Sequence, residues 1–353
     1  MLQIKLSGDA KSIGHQHGET FRNQIHQLAD IRRGLARGFF WNSSETALET
    51  YALAHVESLR KHPDLFTEFY AIATAANLSL VDLMILNNYT DLRDFSVVDK
   101  SRKNDGCSVI GLRNAHRTLV GQTWDMHASA TPFTVYMELD EAGSDTQIKA
   151  LTLTGCLGLA GVNSHGVSAM INNMHCLEVN PAGLAWNALV RKVLRAKTAA
   201  EGVRTIETNL PCSGHSYVVS DKEAVINVET TGLQVLTTAR ITAPGGHTFH
   251  TNHYLNNELR KQENMERQSK TTHQRYHALE TYFKTQSFAD MTLADFERDF
   301  FSVGAAADTI CMPAPLDPHG PMTSGGLIID HTERKGLAFQ GIYNDKNHLR
   351  FEF

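Results

Sequence analysis

Residues 103–108 read Lys-Asn-Asp-Gly-Cys-Ser, a polar, turn-forming run that reaches Cys107 and passes at once into the strand-like Val109-Ile110-Gly111-Leu112. Upstream of Cys107 the pattern is helical and downstream it is strand-like, so the thiol stands at a seam, a place suited to a nucleophile exposed by chain cutting. Gly106 has no Cβ and is expected to adopt backbone angles closed to other residues, letting the thiolate approach the carbonyl immediately upstream. An N-to-S acyl shift followed by hydrolysis of the thioester leaves Cys107 as a new N-terminus, with a thiol and an α-amine on one residue. That amine titrates near pH ~8, close enough to neutrality to take the thiol's proton, and no separate histidine is then needed. The same stretch also reads as a loop entering an inert core cysteine, because a free Cys packs as a small hydrophobe.

Other chemistry-bearing residues form weaker patterns. His247, His250 and His253 recur every third residue, yet no His-Glu-x-x-His motif is present and Gly245-Gly246 breaks any helix leading into them; no metal and no other cofactor are expected. The five cysteines (107, 156, 176, 212 and 311) are odd in number and contain no Cys-x-x-Cys pair, which argues for thiols rather than a disulfide framework or a zinc cage. Trp124 and Trp186 fit either an acyl pocket or plain core.

The frame for these residues is that of an ordinary globular protein: 353 residues are enough for one large domain or two modest ones. Net charge is -5 with no basic cluster, so nucleic acid and anionic membrane are not expected partners. Residues 1–6 lack a signal-peptide pattern and no run is long enough to span a bilayer; the expected location is the cytoplasm.

Periodicity supplies the elements. Phe21, Ile25, Leu28, Ile31, Leu35 and Phe39 make a helical stripe. Ser44 is placed to cap a second helix, Pro63 to open a third that Asn77 ends, and Ser79-x-x-Asp82 to open a short one over 83–86 before a polar region from Asp91 to Asp105. Residues 1–90 thus read as mostly helical. Beyond Cys107, alternation predicts strands near 133–139, 148–154, 167–171, 217–219, 225–228, 327–329 and 337–339. Helices are expected near 184–196, 254–285 and 292–301, the second charged enough to lie on the surface. Strands in close succession point to an α+β layered fold of antiparallel sheets rather than a parallel βαβ sheet.

Taken in order, Asp105-Gly106-Cys107-Ser108, Gly121-Gln122-Thr123-Trp124-Asp125, Gly161-Val162-Asn163 through Asn172, and Thr251-Asn252-His253-Tyr254 resemble the acyl-coenzyme A:6-aminopenicillanic acid acyltransferase family, an autoproteolytic, cysteine-type branch of the N-terminal nucleophile hydrolases. Gly14-x-x-x-Gly18-Glu19 is similar to that family's opening helix. The resemblance implies a four-layer αββα sandwich of antiparallel sheets, made as a precursor that cuts itself between Gly106 and Cys107. Residues 1–106 would become a mostly helical light chain and 107–353 a heavy chain, the two remaining associated as one structural unit. It implies Cys107 as nucleophile, Asp125 as the carboxylate orienting the new ammonium, and Asn252 as the amide facing the oxyanion; Asn172, or its neighbour Asn173, would complete the site. From the residues alone, Asp125 reads equally as a turn or cap residue and Asn252 as the start of a helix. Where the family commonly has an arginine after the position of Ile310-Cys311, this chain has Met312-Pro313-Ala314-Pro315, so recognition of a penicillin-type carboxylate is not expected.

The expected activity is therefore cleavage or transfer of the acyl group of a small N-acyl amide or acyl thioester through a Cys107 thioester. A non-catalytic binding relative and a conventional uncut Cys-His hydrolase are the alternatives, and chain cleavage separates them.

Overall fold

The computed structural model describes residues 1–39, 45–95, 106–269, 271–302, 310–344 and 346–353. Strand β1 (Leu2–Gly8) leads into five helices: α1 (Ala10–Thr20), α2 (Arg22–Phe39), α3 (Glu45–Arg60), α4 (Pro63–Ala76) and α5 (Leu80–Asp94). A hairpin of β2 (Cys107–Arg113) and β3 (Thr118–His127) precedes β4 (Thr134–Glu141), β5 (Gln147–Leu153), β6 (Ala160–Asn163) and β7 (Ser168–Asn173). Helices α6 (Trp186–Val193) and α7 (Ala199–Thr208) separate these from β8 (His215–Ser220), β9 (Val225–Thr230), β10 (Val235–Ile241) and β11 (Gly246–His250). Then come α8 (Thr272–Thr285), α9 (Leu293–Phe301) and the strands β12 (Pro321–Asp330), β13 (Lys335–Gln340) and β14 (His348–Glu352).

The strands form two sheets, eight in the order β1-β4-β5-β6-β7-β8-β9-β10 and six in the order β11-β2-β3-β12-β13-β14. All pairings are antiparallel except β1 with β4, which run parallel from Leu2 opposite Val135. Side chains alternating across β2 define the layers: Val109 enters the large core shared by both sheets and the first seven helices, whereas Ile110 and Leu112 enter a second core with Leu279, Phe283, Phe296 and Phe300 of α8 and α9. The order is helices, eight-stranded sheet, six-stranded sheet, helices: the expected αββα sandwich.

Several expected elements hold in detail. Asn77 closes α4 in the left-handed region at φ 56°, and Ser79 caps α5 by accepting the Asp82 N–H. The Gly14-x-x-x-Gly18 spacing lets α1 lie directly on α4: a Cβ at Gly14 would stand 2.2 Å from the Glu68 carbonyl oxygen. Gly14→Ala must therefore push the helices apart. It is expected to destabilise by about 2–3 kcal/mol, read from the urea midpoint.

Other expectations need correction. Residues 1–90 are mostly helical, but Leu2–Gly8 ahead of the helices form the unanticipated strand β1 on the sheet edge. Helix α5 does not stop at Leu86 but runs to Asp94, and its charged end is buried because residues beyond Cys107 supply partners for Asp91 and Asp94. The 254–285 stretch is α-helical only over α8, which lies on the surface as expected, with His277 and Lys284 exposed, but buries a stripe of Arg275, Leu279 and Phe283. Strands β3, β6, β10, β11 and β14 and helix α7 were not anticipated. All ten residues of β3 are buried, its polar ones included, which erases the alternation by which a strand is recognised. The Ser44 cap and Asp105 lie outside the described residues.

Buried histidines make stability depend on pH. His17 accepts the Gly155 N–H, His55 meets Asn88, and His331 sits between Ser168 and Ser220; burial pushes each pKa down to about 4. With the folded pKa below the unfolded value of ~6.5, their contribution is complete above that value and is lost as pH falls toward 4, at most about 3 kcal/mol each. The urea midpoint should drop steeply between pH ~6.5 and ~4.5; a flat midpoint there would show these imidazoles are not held neutral.

Candidate active site

Cys107 opens β2, an interior strand of the six-stranded sheet between β11 and β3; it is 6% exposed, its side chain on the face toward the other sheet. It pairs with Trp124, and the ladder continues one residue further, where the Asp125 N–H donates to the Gly106 carbonyl at 2.8 Å. The oxygen of the carbonyl that a Cys107 thiolate would attack is thus held by a main-chain donor, the arrangement that stabilises charge developing there. Gly106 does not serve through unusual backbone angles, since it is not among the positive-φ glycines. The reason for glycine is space: a Cβ would stand 2.8 Å from Arg275 Nη2 and 3.2 Å from Asp125 Oδ2.

Three asparagines converge on the cysteine. Asn252, in the loop after β11, accepts the Cys107 N–H on Oδ1 at 2.9 Å and donates from Nδ2 to the Asn173 carbonyl at 2.8 Å. It starts no helix; its own N–H donates to Thr272 Oγ. Asn172 on β7 donates from Nδ2 to the carbonyl oxygens of Cys107 at 3.0 Å and His250 at 3.3 Å. Asn173 instead lines the cavity beside Cys107, its Oδ1 and Nδ2 shielded from solvent and without a protein partner.

Asp125 is fully buried, and Thr323 Oγ donates to its Oδ1 at 2.7 Å. The same threonine oxygen accepts the Met312 N–H at 2.8 Å, so the place of the family's arginine lies two hydrogen bonds from the carboxylate. A cation nevertheless reaches the site from elsewhere. Arg275 of α8 donates from Nη1 to the Cys107 carbonyl at 2.6 Å and Ser108 Oγ at 2.9 Å, and from Nη2 to Asn252 Oδ1 at 2.8 Å. Burial pulls its pKa down, while Asp125 and Cys107 pull it up. Sequence reading missed Arg275, although its spacing to Leu279 and Phe283 was visible: an arginine on an otherwise apolar stripe.

The cavity at Cys107 is narrow, about 30 Å³, with walls of Trp124, Met126, Ile171 and Trp186, so both tryptophans face the candidate nucleophile. His215 adds a polar edge; its Nε2 lies 3.1 Å from Asp91 Oδ1, and the α5 helix also contributes Thr90. Burial raises the pKa of Cys156 to about 11, of Cys176 to about 12 and of Cys212 well above its usual value, keeping these thiols protonated at neutral pH. The histidine series is dispersed: His247 stacks on Phe283 and His250 pairs with Glu229 at 2.8 Å. Among the described residues no group of three or more His, Cys, Asp or Glu side chains is placed to hold a metal.

The elements build a four-layer αββα sandwich of the α+β class, with a cysteine opening an interior strand of one sheet. The chain belongs to the acyl-coenzyme A:6-aminopenicillanic acid acyl-transferase family, whose model matches residues 112–318. It is 24% identical over 261 residues to the 40 kDa form of acyl-coenzyme A:6-aminopenicillanic-acid-acyltransferase from Emericella nidulans, covering 73% of this chain and 70% of that one. Among solved structures it is similar to penicillin V acylase from Agrobacterium tumefaciens (12% identity, 70% of this chain and 86% of that one, TM-score 0.39). It is likewise similar to a variant of conjugated bile acid hydrolase from Clostridium perfringens (10% identity, 70% and 92%, TM-score 0.44).

Proposed function

We propose that this chain is an autoprocessing cysteine amidohydrolase or acyltransferase that carries the acyl group of a small N-acyl amide or acyl thioester on Cys107. The observation that carries this reading is the clamp around one peptide bond: the Gly106 carbonyl oxygen accepts from Asp125 N–H and the Cys107 N–H donates to Asn252 Oδ1. In the precursor, Sγ adds to the Gly106 carbonyl carbon, the C–N bond breaks, and water hydrolyses the thioester to a Gly106 carboxylate and a free Cys107 amine. In turnover, that amine takes the Sγ proton and the thiolate adds to the substrate carbonyl. The ammonium then returns the proton to the departing amine or thiol, leaving an acyl-cysteine thioester. Asn252 Nδ2 has a second N–H beside the one given to Asn173, and this serves the oxyanion.

Water ends the cycle in a hydrolase and an amine in a transferase. The name of the Emericella relative pairs an acyl thioester with an amine acceptor, which supports the acyl-transfer chemistry; hydrolysis is the default because water is always present. Residues 1–106 and 107–353 stay together in this reading, because Glu68 pairs with Arg191 at 3.1 Å in the buried core and Asp94 accepts from Ser213 Oγ.

Intact mass and amino-terminal sequencing of the purified protein test the reading. Two co-purifying fragments, one beginning at Cys107, are expected. A single uncut chain with no thiol-dependent amidase activity would sink it.

A further inference from the structure

We infer, resting on the reading of Cys107 as nucleophile, that Arg275 is a positioning residue for self-cleavage and turnover. It fixes Asn252 and the Cys107 main chain, and its charge offsets Asp125 so that the α-amine is available as a base near neutral pH. The geometry supplies both halves. One face of the guanidinium holds the Cys107 carbonyl and Ser108 Oγ, and its other nitrogen shares the Asn252 Oδ1 acceptor with the Cys107 N–H. Asn252 is thereby locked with its oxygen toward the nitrogen that becomes the base. Lysine cannot reproduce the fork, but it keeps the charge.

The charge matters because Asp125 is buried beside the same backbone. A lone carboxylate there favours an ammonium at Cys107, and an ammonium cannot take the thiol's proton. A guanidinium in the same pocket cancels that field. Among the described residues, the other titratable groups around the site include His215 on β8, backed by Asp91 of α5, and His250 on β11 with Glu229 of β9 and His253 behind Asn252. His215 and His250 are each paired with a buried carboxylate, and Arg275 is a cation that contacts the Cys107 residue itself.

The test compares wild type, Arg275→Lys and Arg275→Gln by fragment mass, by the pH profile of kcat/KM, and by the pH profile of Cys107 alkylation with iodoacetamide, with Cys107→Ala as thiol background. In Arg275→Gln, cutting slows and the acidic limb of both profiles moves up by roughly one to two pH units. In Arg275→Lys the limb stays at the wild-type pH while kcat falls severalfold. A folded, cut Arg275→Gln protein whose limb coincides with wild type overturns the inference. Should Arg275→Gln not fold, Arg275→Lys decides: a retained limb supports the charge role, and an upward move despite the retained charge refutes it. A wild type that is uncut, with Cys107 no more reactive than background, removes the nucleophile reading instead.

Discussion

Cys107→Ala is expected to remain one uncut 353-residue chain without detectable acyl transfer or hydrolysis, folded as the wild type is. The substitution removes only a sulfur from a nearly closed site, so its effect on packing is small. Its effect on chemistry is complete in two ways. No nucleophile attacks Gly106, so the α-amine is never released, and no thioester forms with substrate. The loss in kcat/KM should be on the order of 10³-fold or more, as for removal of a nucleophile acting in a unit with its base. Three of the other cysteines offer no rescue, because Cys156, Cys176 and Cys212 are held protonated by burial. Mass spectrometry and an amidase assay on the same preparation check both halves, and an active, uncut Cys107→Ala chain would overturn the mechanism.

Asp125→Asn preserves shape and removes one buried charge. Its main-chain N–H still reaches the Gly106 carbonyl, so the precursor clamp survives and self-cleavage slows rather than stops. What is lost is the carboxylate that would orient the new ammonium in the proposed mechanism, and with it the counter-charge of Arg275. An amine lacking that partner beside an unbalanced guanidinium holds its proton poorly and samples the wrong orientation. We expect processing and kcat/KM to fall by roughly 10²–10³-fold, with secondary structure by circular dichroism unchanged and the melting temperature lowered by several degrees. Wild-type processing and turnover in this variant would mean that the Asp125 side chain merely fills space with Thr323.

His215 bears on the Cys-His alternative. It lines the same cavity as Cys107, but its Nε2 faces Asp91, which comes from the helix preceding the proposed cut. Chain cleavage remains the observation that separates the two mechanisms.

The sequence by itself determined the elements whose signals are local. Asn77 and Ser79 end and begin helices through their own backbone and side-chain chemistry, the apolar stripe of α2 has one face to bury, and β4 and β5 alternate where Met137, Leu139, Ile148 and Ala150 face the core while Glu138, Asp140 and Lys149 keep access to water. It also marked Cys107, Asp125 and Asn252, because their order along the chain matched a family pattern. It did not show what these residues touch. The asparagine question illustrates the limit: residues 172 and 173 are adjacent and identical in type, and only the pleat sends one amide to the Cys107 carbonyl and the other to the cavity.

Only the tertiary structure could decide the rest, because burial of polar groups depends on partners distant in sequence. Strand β3 buries Gln122, Thr123 and Asp125, and α5 buries Asp91, against groups 49 to 198 residues away, so hydropathy assigned those stretches to loops or polar surface. Arg275 is the sharpest case. A window around it reads as solvated helix, yet the packing of α8 on the six-stranded sheet carries its guanidinium to a cysteine 168 residues upstream, where desolvation is offset by four acceptors and a nearby carboxylate.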